Sequence, residues 1–493
     1  MNRILVFLLA TVSVCANIRA QVVFADYSDP DLCEGTEGDY WLTASSFQCT
    51  PGLPILHSTD LVHWELVNYA VERLQPAQHY STVQHGCGVW APSIRRHGDT
   101  YYIYWGDPDF GVFMVSTDNP CGSWSEPVLV LEGKGIIDPC PLWDEDGRCY
   151  LVNAWAASRC GFNSVLTVRE LSPDGTRVIG LPRLVYDGQV EGNHTIEGPK
   201  FYKKDGYYYI LAPAGGVAQG WQTALRSKSV FGPYESRIVF NDGGIHQGGW
   251  AGQHFLAFQE RAAYGRILHL LDVEWKDGWP MMKRNKRKDV THGIEYHAGV
   301  SPYQWHANYQ DGFGFATHSG VRVYGHHVSP AYRNLWEVPN LYLRKFEGEA
   351  FTDTLHMTLT ANEPGQRSGF VVMGRSYFCL SAELQDGEFV LKRTLCRQAD
   401  EKGEESAEVI GRIKARAYNA GAKTNYECRL SVCIQCDREA LCRFAYSTDR
   451  KHFTWISETF RAREGKWIGA KYGVFSIADG TPSRGWVEME YQK

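Results

Sequence analysis

"TIEGPKFYKKDGYYYILAP", residues 195–213, decides the fold. Asp205-Gly206 is a turn signal, and the run from Tyr207 has the aromatic, β-prone character of a strand. The same unit recurs as "GDYWLTASSF" (38–47), "GDTYYIYW" (98–105), "DGRCYLVNAW" (146–155) and, more weakly, "AGQHFLAF" (251–258). Tyr40, Tyr101, Tyr150, Tyr208 and Phe255 mark the units, at a spacing of roughly 45 to 60 residues. A small antiparallel sheet repeated at that period is the mark of a β-propeller. Five copies between residues 22 and about 282 predict five blades. Secondary echoes ("STDLVHW", "STDNPCGSW", "SKSVFGPY") follow aromatic strands at similar distances, and long helical periodicity is absent.

Phase within the repeat points to a site. Nine residues before the turn glycines Gly38, Gly147 and Gly206 stand Asp29, Asp138 and Glu197, each with a proline just after it. If the repeats superpose, three carboxylates face one another at the central channel, where gathering like charge is costly unless it serves a function. Any one of these motifs alone reads as an ordinary strand-entry turn. Three at one phase favour a shared site.

Composition narrows the class. The 493 residues exceed one core, so two domains are expected. With 44% hydrophobic and 22% charged residues the chain is globular, and a net charge of -6 makes no electrostatic case for a nucleic-acid partner. Its 16 Trp, 27 Tyr and 22 Phe suit β structure first and sugar-stacking clefts second.

Three carboxylates suit glycoside hydrolysis. That reaction needs a proton donor at the leaving oxygen and a second carboxylate that activates water or attacks the sugar. The donor must keep its proton near neutral pH, through burial or neighbouring negative charge. Glutamate is the donor with the longer reach. Metal binding is the competing use, ranked lower because calcium and magnesium sites commonly form compact local sets or recruit backbone carbonyls.

The chain closely resembles glycoside hydrolase family 43, in particular its two-domain arabinofuranosidase and β-xylosidase members. The match runs through "YSDPDL", "GVWAPSIR", "GIIDPCPLWDEDGRCYLV", "TIEGPKFYKKDGYYYI", "GGIHQGGW" and "AYGRILHLLDVEWKDGWP". The resemblance implies Asp29 as the general base, Glu197 as the general acid, and Asp138 as the group that tunes and orients Glu197. It implies inversion at the anomeric carbon. Related retaining propeller hydrolases carry their acid in a Glu-Cys motif; here Gly-Pro follows the glutamate. Asp31 stands where serine is common in xylosidase-like members, and Asp26 is close by, so either remains an alternative to Asp29.

The resemblance also places His246 in the channel and Arg266 at the glycone hydroxyls. Trp90 stands one residue past the common phase of its blade and reads either as a wall of the sugar pocket or as blade packing, with Phe47 and Trp105 as weaker candidates of the same kind. The resemblance requires no cofactor and leaves room for a calcium ion held through water near His246. The expected activity is exo-acting, inverting release of terminal α-L-arabinofuranosyl or β-D-xylosyl residues from plant polysaccharide or oligosaccharide, with arabinofuranosyl first. The alternatives are another glycone, as in an exo-galactanase, or a sugar-binding propeller without catalysis.

After residue 293 the pattern becomes short alternating strands, among them "LHMTLTAN", "YFCLSAEL" and "KYGVFSIA", which predict a β-sandwich. The resemblance makes it concanavalin-like. The chain therefore divides into a signal peptide (1–20), a propeller (21–293) and a sandwich (294–493). "MNRILVFLLATVSVCANIRAQ" predicts export, with Cys15 as a less favoured lipid anchor. Without Cys15, thirteen cysteines remain, so at least one thiol has no internal partner. The C-x-x-C at Cys433 and Cys436 reads as buried thiols or disulfides before zinc. "KRNKRK" (283–288) reads as an exposed linker, and the sequon at Asn193 as coincidence.

Overall fold

The computed structural model describes residues 21–284, 293–420, 423–479 and 485–491. The expected leader, Cys15 and residues 285–288 of the basic run lie outside them. The described members of that run, Lys283 and Arg284, pair with Glu274 and Asp242. Among the described residues no helix is long and apolar enough to cross a membrane.

Five antiparallel sheets form the first domain. Their innermost strands are Asp31–Glu34, Trp90–His97, Ile136–Trp143, Lys200–Lys204 and Ile245–Ala251, heading blades I to V. The aromatic strands of the repeat are the second strand of every blade: Tyr40–Thr43, Thr100–Asp107, Cys149–Trp155, Tyr207–Ala214 and His254–Glu260. Their rings pack between neighbouring blades; Tyr101 and Trp41, for example, belong to one core cluster joining blades I and II. This inter-blade packing is why aromatic residues recur at the repeat's period.

The ring closes through its ends. Strand Arg266–Lys276 of blade V takes Gln21–Val23 on its outer edge at Leu268 and His269, and Trp279–Arg284 further along that edge. Blade V thus holds the first and last strands of the propeller, so the N-terminal segment pins the circle shut. Glu295–Tyr296 adds a parallel strand to blade I, so the first sandwich strand is Gln304–Trp305.

The second domain is two eight-stranded sheets packed face to face. Its central strands, Gln366–Met373, Tyr377–Gln385, Phe351–Ala361 and Lys423–Cys436, supply a core of Leu, Val, Phe and Met side chains. That core continues into the propeller, because Phe24, Ala263, Tyr264 and Ile267 belong to the same cluster. Backbone bonds stitch the seam: Thr50 and Trp305 exchange a pair, and Ala470 N–H donates to Ala263 O at 2.7 Å.

Candidate active site

Each innermost strand bends once at the channel mouth, on a residue with left-handed φ. These residues are Asp29 (52°), Ala91 (32°), Asp138 (55°), Gly198 (56°) and Gln247 (51°). Four of the five are not glycine, and each such residue carries strain of order 1 kcal/mol or more. Strain gathered around one cavity marks a site that needs its side chains aimed.

The bends correct the phase argument. Asp29 and Asp138 occupy the bend itself, whereas in blade IV the bend is Gly198 and Glu197 stands one residue earlier. The equal count of nine arises one way in blades I and III and another way in blade IV. Blades I and III close their first hairpin with five residues (35–39 and 144–148), while blade IV uses two (205–206) after a longer paired stretch. Glu197 is therefore the positional counterpart of Trp90, Ile137 and His246. The acid leaves its strand in a different direction from the two aspartates, as suits a group working on another atom of the substrate.

All three carboxylates line one cavity of about 100 Å3, with Phe47, Trp90, Val217, Gln247, Arg266 and Trp467 among its other walls. Asp29 is held on both oxygens. Arg266 Nη1 donates to Oδ1 at 2.7 Å and Ser45 Oγ to Oδ2 at 2.6 Å. Ser45 Oγ also accepts Ala91 N–H at 2.8 Å, which leaves its own hydrogen for Asp29. Asp138 Oδ2 accepts Gly198 N–H at 2.7 Å, fixing Asp138 to the residue beside Glu197.

Burial, then the negative charges of Asp138 and Asp29, push the Glu197 carboxyl up to about 8. Burial also pushes Asp138 up to about 7, against the Gly198 N–H that favours its charged form. Glu197 thus holds a proton at neutral pH beside the Asp138 carboxyl group, which the Gly198 N–H fixes in place, and Asp29 stands with Arg266 and Ser45.

The other candidate residues divide. Trp90 and Phe47 line the cavity; Trp90 Nε1 donates to Gly86 O at 2.8 Å, and Arg159 lies 5.9 Å from the centre of its ring. Trp105 does not line it, being buried in the core against Phe113. His246 is also corrected: it is buried beneath the wall, its Nε2 donating to Val217 O at 2.9 Å, and its neighbour Gln247 reaches the cavity instead. Burial pulls the His246 imidazole down to about 4, so it is neutral.

His246 Nδ1 is buried without a protein partner, and among the described residues no group of three His, Cys, Asp or Glu side chains is placed to hold a metal ion. That set fits a calcium ion only through water on Nδ1. Such an ion would add positive charge to the channel.

Asp31, an alternative base, is buried beneath the bend. It accepts Arg95 Nη1 at 2.6 Å and Ile94 N–H at 3.0 Å, with Lys200 Nζ 4.0 Å away. It knits blades together and does not line the cavity. Asp26 faces the domain seam. Asn193 spends its amide on Tyr186 and Trp221 indoors. Cys433 is part-exposed while Cys436 and Cys428 are buried in the sandwich core, and the two C-x-x-C thiols project from opposite faces of one strand.

Reasoning from sequence missed Trp467, Gln247 and Ser45. Trp467 lies in "GKWIGAKYG", on a loop the sandwich domain sends over the propeller. Its flanking glycines were the available signal. Trp467 adopts a left-handed φ of 65° and lies 5.8 Å from the Arg266 guanidinium, ring to cation.

A five-bladed propeller with an acidic channel pocket, completed by a loop from a β-sandwich, defines a class of carbohydrate-active two-domain proteins. The sequence profile of Glycosyl hydrolases family 43 matches residues 18–280, and the chain belongs to that family. Residues 301–493 match the beta xylosidase C-terminal Concanavalin A-like domain. Over 265 residues the chain is 36% identical to a putative beta-xylosidase of Xylanibacter ruminicola, covering 52% of this chain and 49% of that protein. It is 33% identical over 226 residues to a non-reducing end alpha-L-arabinofuranosidase of Bacteroides ovatus, covering 45% of this chain and 40% of that one. The chain thus spans about half or less of these two relatives. A Formosa agariphila beta-xylosidase is 25% identical across 95% of this chain and 89% of its own. In fold, the crystal structure of xylan beta-1,4-xylosidase from Bacillus halodurans superposes with a TM-score of 0.77 at 19% identity, over 96% of this chain and 100% of that one.

Proposed function

We propose that this protein is an exo-acting, inverting glycosidase that releases a terminal β-D-xylosyl or α-L-arabinofuranosyl residue from plant cell-wall polysaccharide or oligosaccharide. The observation that carries the reading is the asymmetry among the three carboxylates: Glu197 holds a proton at neutral pH, while Asp29 accepts from Arg266 and Ser45. In one displacement, Asp29 takes a proton from water as the water oxygen bonds to the anomeric carbon. Glu197 gives its proton to the departing glycosidic oxygen as the old C–O bond breaks. Asp138 keeps Glu197 protonated and aimed.

Exo action is supported by the small aromatic-walled cavity, well under the usual size of about 300 to 1,000 Å3 for larger ligands. Xylosyl stands first, reversing the order expected from sequence, because a relative aligned over nearly all of this chain is named a beta-xylosidase. Export remains part of the proposal on the strength of the N-terminal sequence.

The test is release from 4-nitrophenyl β-D-xyloside and α-L-arabinofuranoside, with the anomer of the fresh product read by NMR. Hydrolysis of at least one, giving the inverted sugar, is the expected result. A retained anomer would remove the water-activating role of Asp29, and a folded protein silent on both would sink the pentosidase reading.

A further inference from the structure

We propose that Asp26 is a positioning residue that latches the sandwich-borne Trp467 loop to the catalytic face of the propeller and so sets affinity for the sugar. The inference rests on the pentosidase reading of the pocket and assigns a determinant of it that lies outside the cavity.

Asp26 is 5% exposed, and its one carboxylate ties together three segments. Oδ1 accepts Arg266 N–H at 2.9 Å and the Ser28 hydroxyl at 3.0 Å. Oδ2 accepts Gly469 N–H at 2.9 Å, two residues after Trp467. Its backbone carbonyl accepts Lys345 Nζ, from the sandwich, at 2.5 Å. One side chain therefore fixes the strand that carries Arg266, the residue preceding the base Asp29, and the loop that carries Trp467.

Two glycines make room for it. A Cβ on Gly265 would sit 2.3 Å from Asp26 Cγ, and a Cβ on Gly469 would sit 2.8 Å from Gly265 N. The two domains thus approach backbone to backbone at the latch, and Ala470 N–H adds a bond to Ala263 O beside it. Elsewhere the Trp467 loop is tied within the sandwich, where Arg375 N–H donates to Glu464 O at 2.8 Å, and it rests against Gly86 of the propeller. Trp467 is 43% exposed, and the Ser28 hydroxyl reaches its carbonyl only at 3.5 Å. The Asp26–Gly469 bond is the buried, charge-assisted contact that fixes the indole over the pocket.

All of the side-chain partners of Asp26 are donors, so both oxygens must accept. An asparagine offers one acceptor and one donor. Keeping its oxygen on Arg266 and Ser28 turns an NH2 toward Gly469 N–H, and the loop loses its anchor while the shape of the side chain is preserved.

The experiment compares Asp26→Asn, Trp467→Ala and the double variant on the 4-nitrophenyl pentoside that the wild type hydrolyses, alongside hydrogen exchange on the wild type. Asp26→Asn is expected to lower kcat/KM about tenfold, carried by KM with kcat little changed. In the double variant the loss should be no greater than in Trp467→Ala alone, because both changes remove the same contact. In the wild type, the Gly469 amide should exchange about 100-fold more slowly than an open amide. Losses that multiply in the double variant, a kcat-borne defect in Asp26→Asn, or an unprotected Gly469 amide would each overturn the latch. If Asp26→Asn does not fold, the exchange measurement still decides. If the wild type cleaves neither pentoside, the functional reading falls alone, and the Gly469 amide still reports on the latch.

Discussion

On the floor of the pocket, Asp29, Asp138 and Glu197 stand at or beside the bends of innermost strands, each a few residues from its own blade's hairpin. On the outer wall, Trp467 arrives from the other domain, 439 residues along the chain from Ser28, whose hydroxyl reaches its carbonyl. The floor is placed by local geometry repeated around a ring, and the wall by a single long-range docking. The difference separates two tasks. Chemistry depends on charges aimed by strained, rigid bends; recognition depends on an indole held by a few bonds across a seam. Changes on the floor should strike kcat, and changes at the wall should strike KM.

The largest effects are expected on the floor. Asp29→Asn removes the acceptor for the proton of water and should lower kcat about 10^4-fold, whatever the leaving group. Glu197→Gln should cost about 10^3-fold on xylobiose or another substrate with a poor leaving group. On 4-nitrophenyl glycosides, whose leaving group needs little protonation, the loss should be smaller. Steady-state rates on the two substrate types check both variants. An equal loss for Glu197→Gln on both would mean that Glu197 does not protonate the leaving oxygen.

Ser45→Ala sharpens the comparison, since Ser45 touches only the floor. The change orphans Ala91 N–H and one oxygen of Asp29, both buried. Leaving such groups without partners costs about 1 to 3 kcal/mol apiece. The expected result is a lower Tm and a fall in kcat of about tenfold with KM little changed. A defect confined to KM would put Ser45 with the recognition wall.

The same division explains what could be read from the sequence. Blades were legible because a turn glycine and the aromatic strand after it are neighbours in the chain, and blade packing demands both at every repeat. The three carboxylates were legible for the same reason. Their phase was not fully so, because a count of residues cannot tell a five-residue hairpin from a two-residue one; Glu197 was found at a shared position it does not occupy. His246 was named from the family resemblance, yet the bend falls on Gln247 and turns His246 inward. Trp105 was a weaker wall candidate than Trp90, and its packing against Phe113 places it in the core. Asp26 stood out as a third aspartate in "DYSDPD", but its partners lie on Arg266 and Gly469, beyond any local pattern.

Asp138→Asn gives the smallest effect at mildly acidic pH and the most specific one. The amide oxygen can still accept Gly198 N–H, so the geometry that fixes Asp138 beside Glu197 is kept while its charge is lost. Glu197 works as an acid only while protonated, so the wild-type rate should fall as pH rises through its value of about 8. Burial supports that value first, and the negative charge of Asp138 second. With the charge gone, Glu197 gives up its proton more readily, and the alkaline limb of kcat/KM should move to lower pH. Well below the shifted limb, where Glu197 is protonated in both proteins, the rates should differ only a few-fold; near pH 7.5 the variant should lag markedly. A pH profile of the variant against the wild type measures this directly. An alkaline limb that stays in place would show that burial alone holds the proton on Glu197, leaving Asp138 to aim the acid without tuning it.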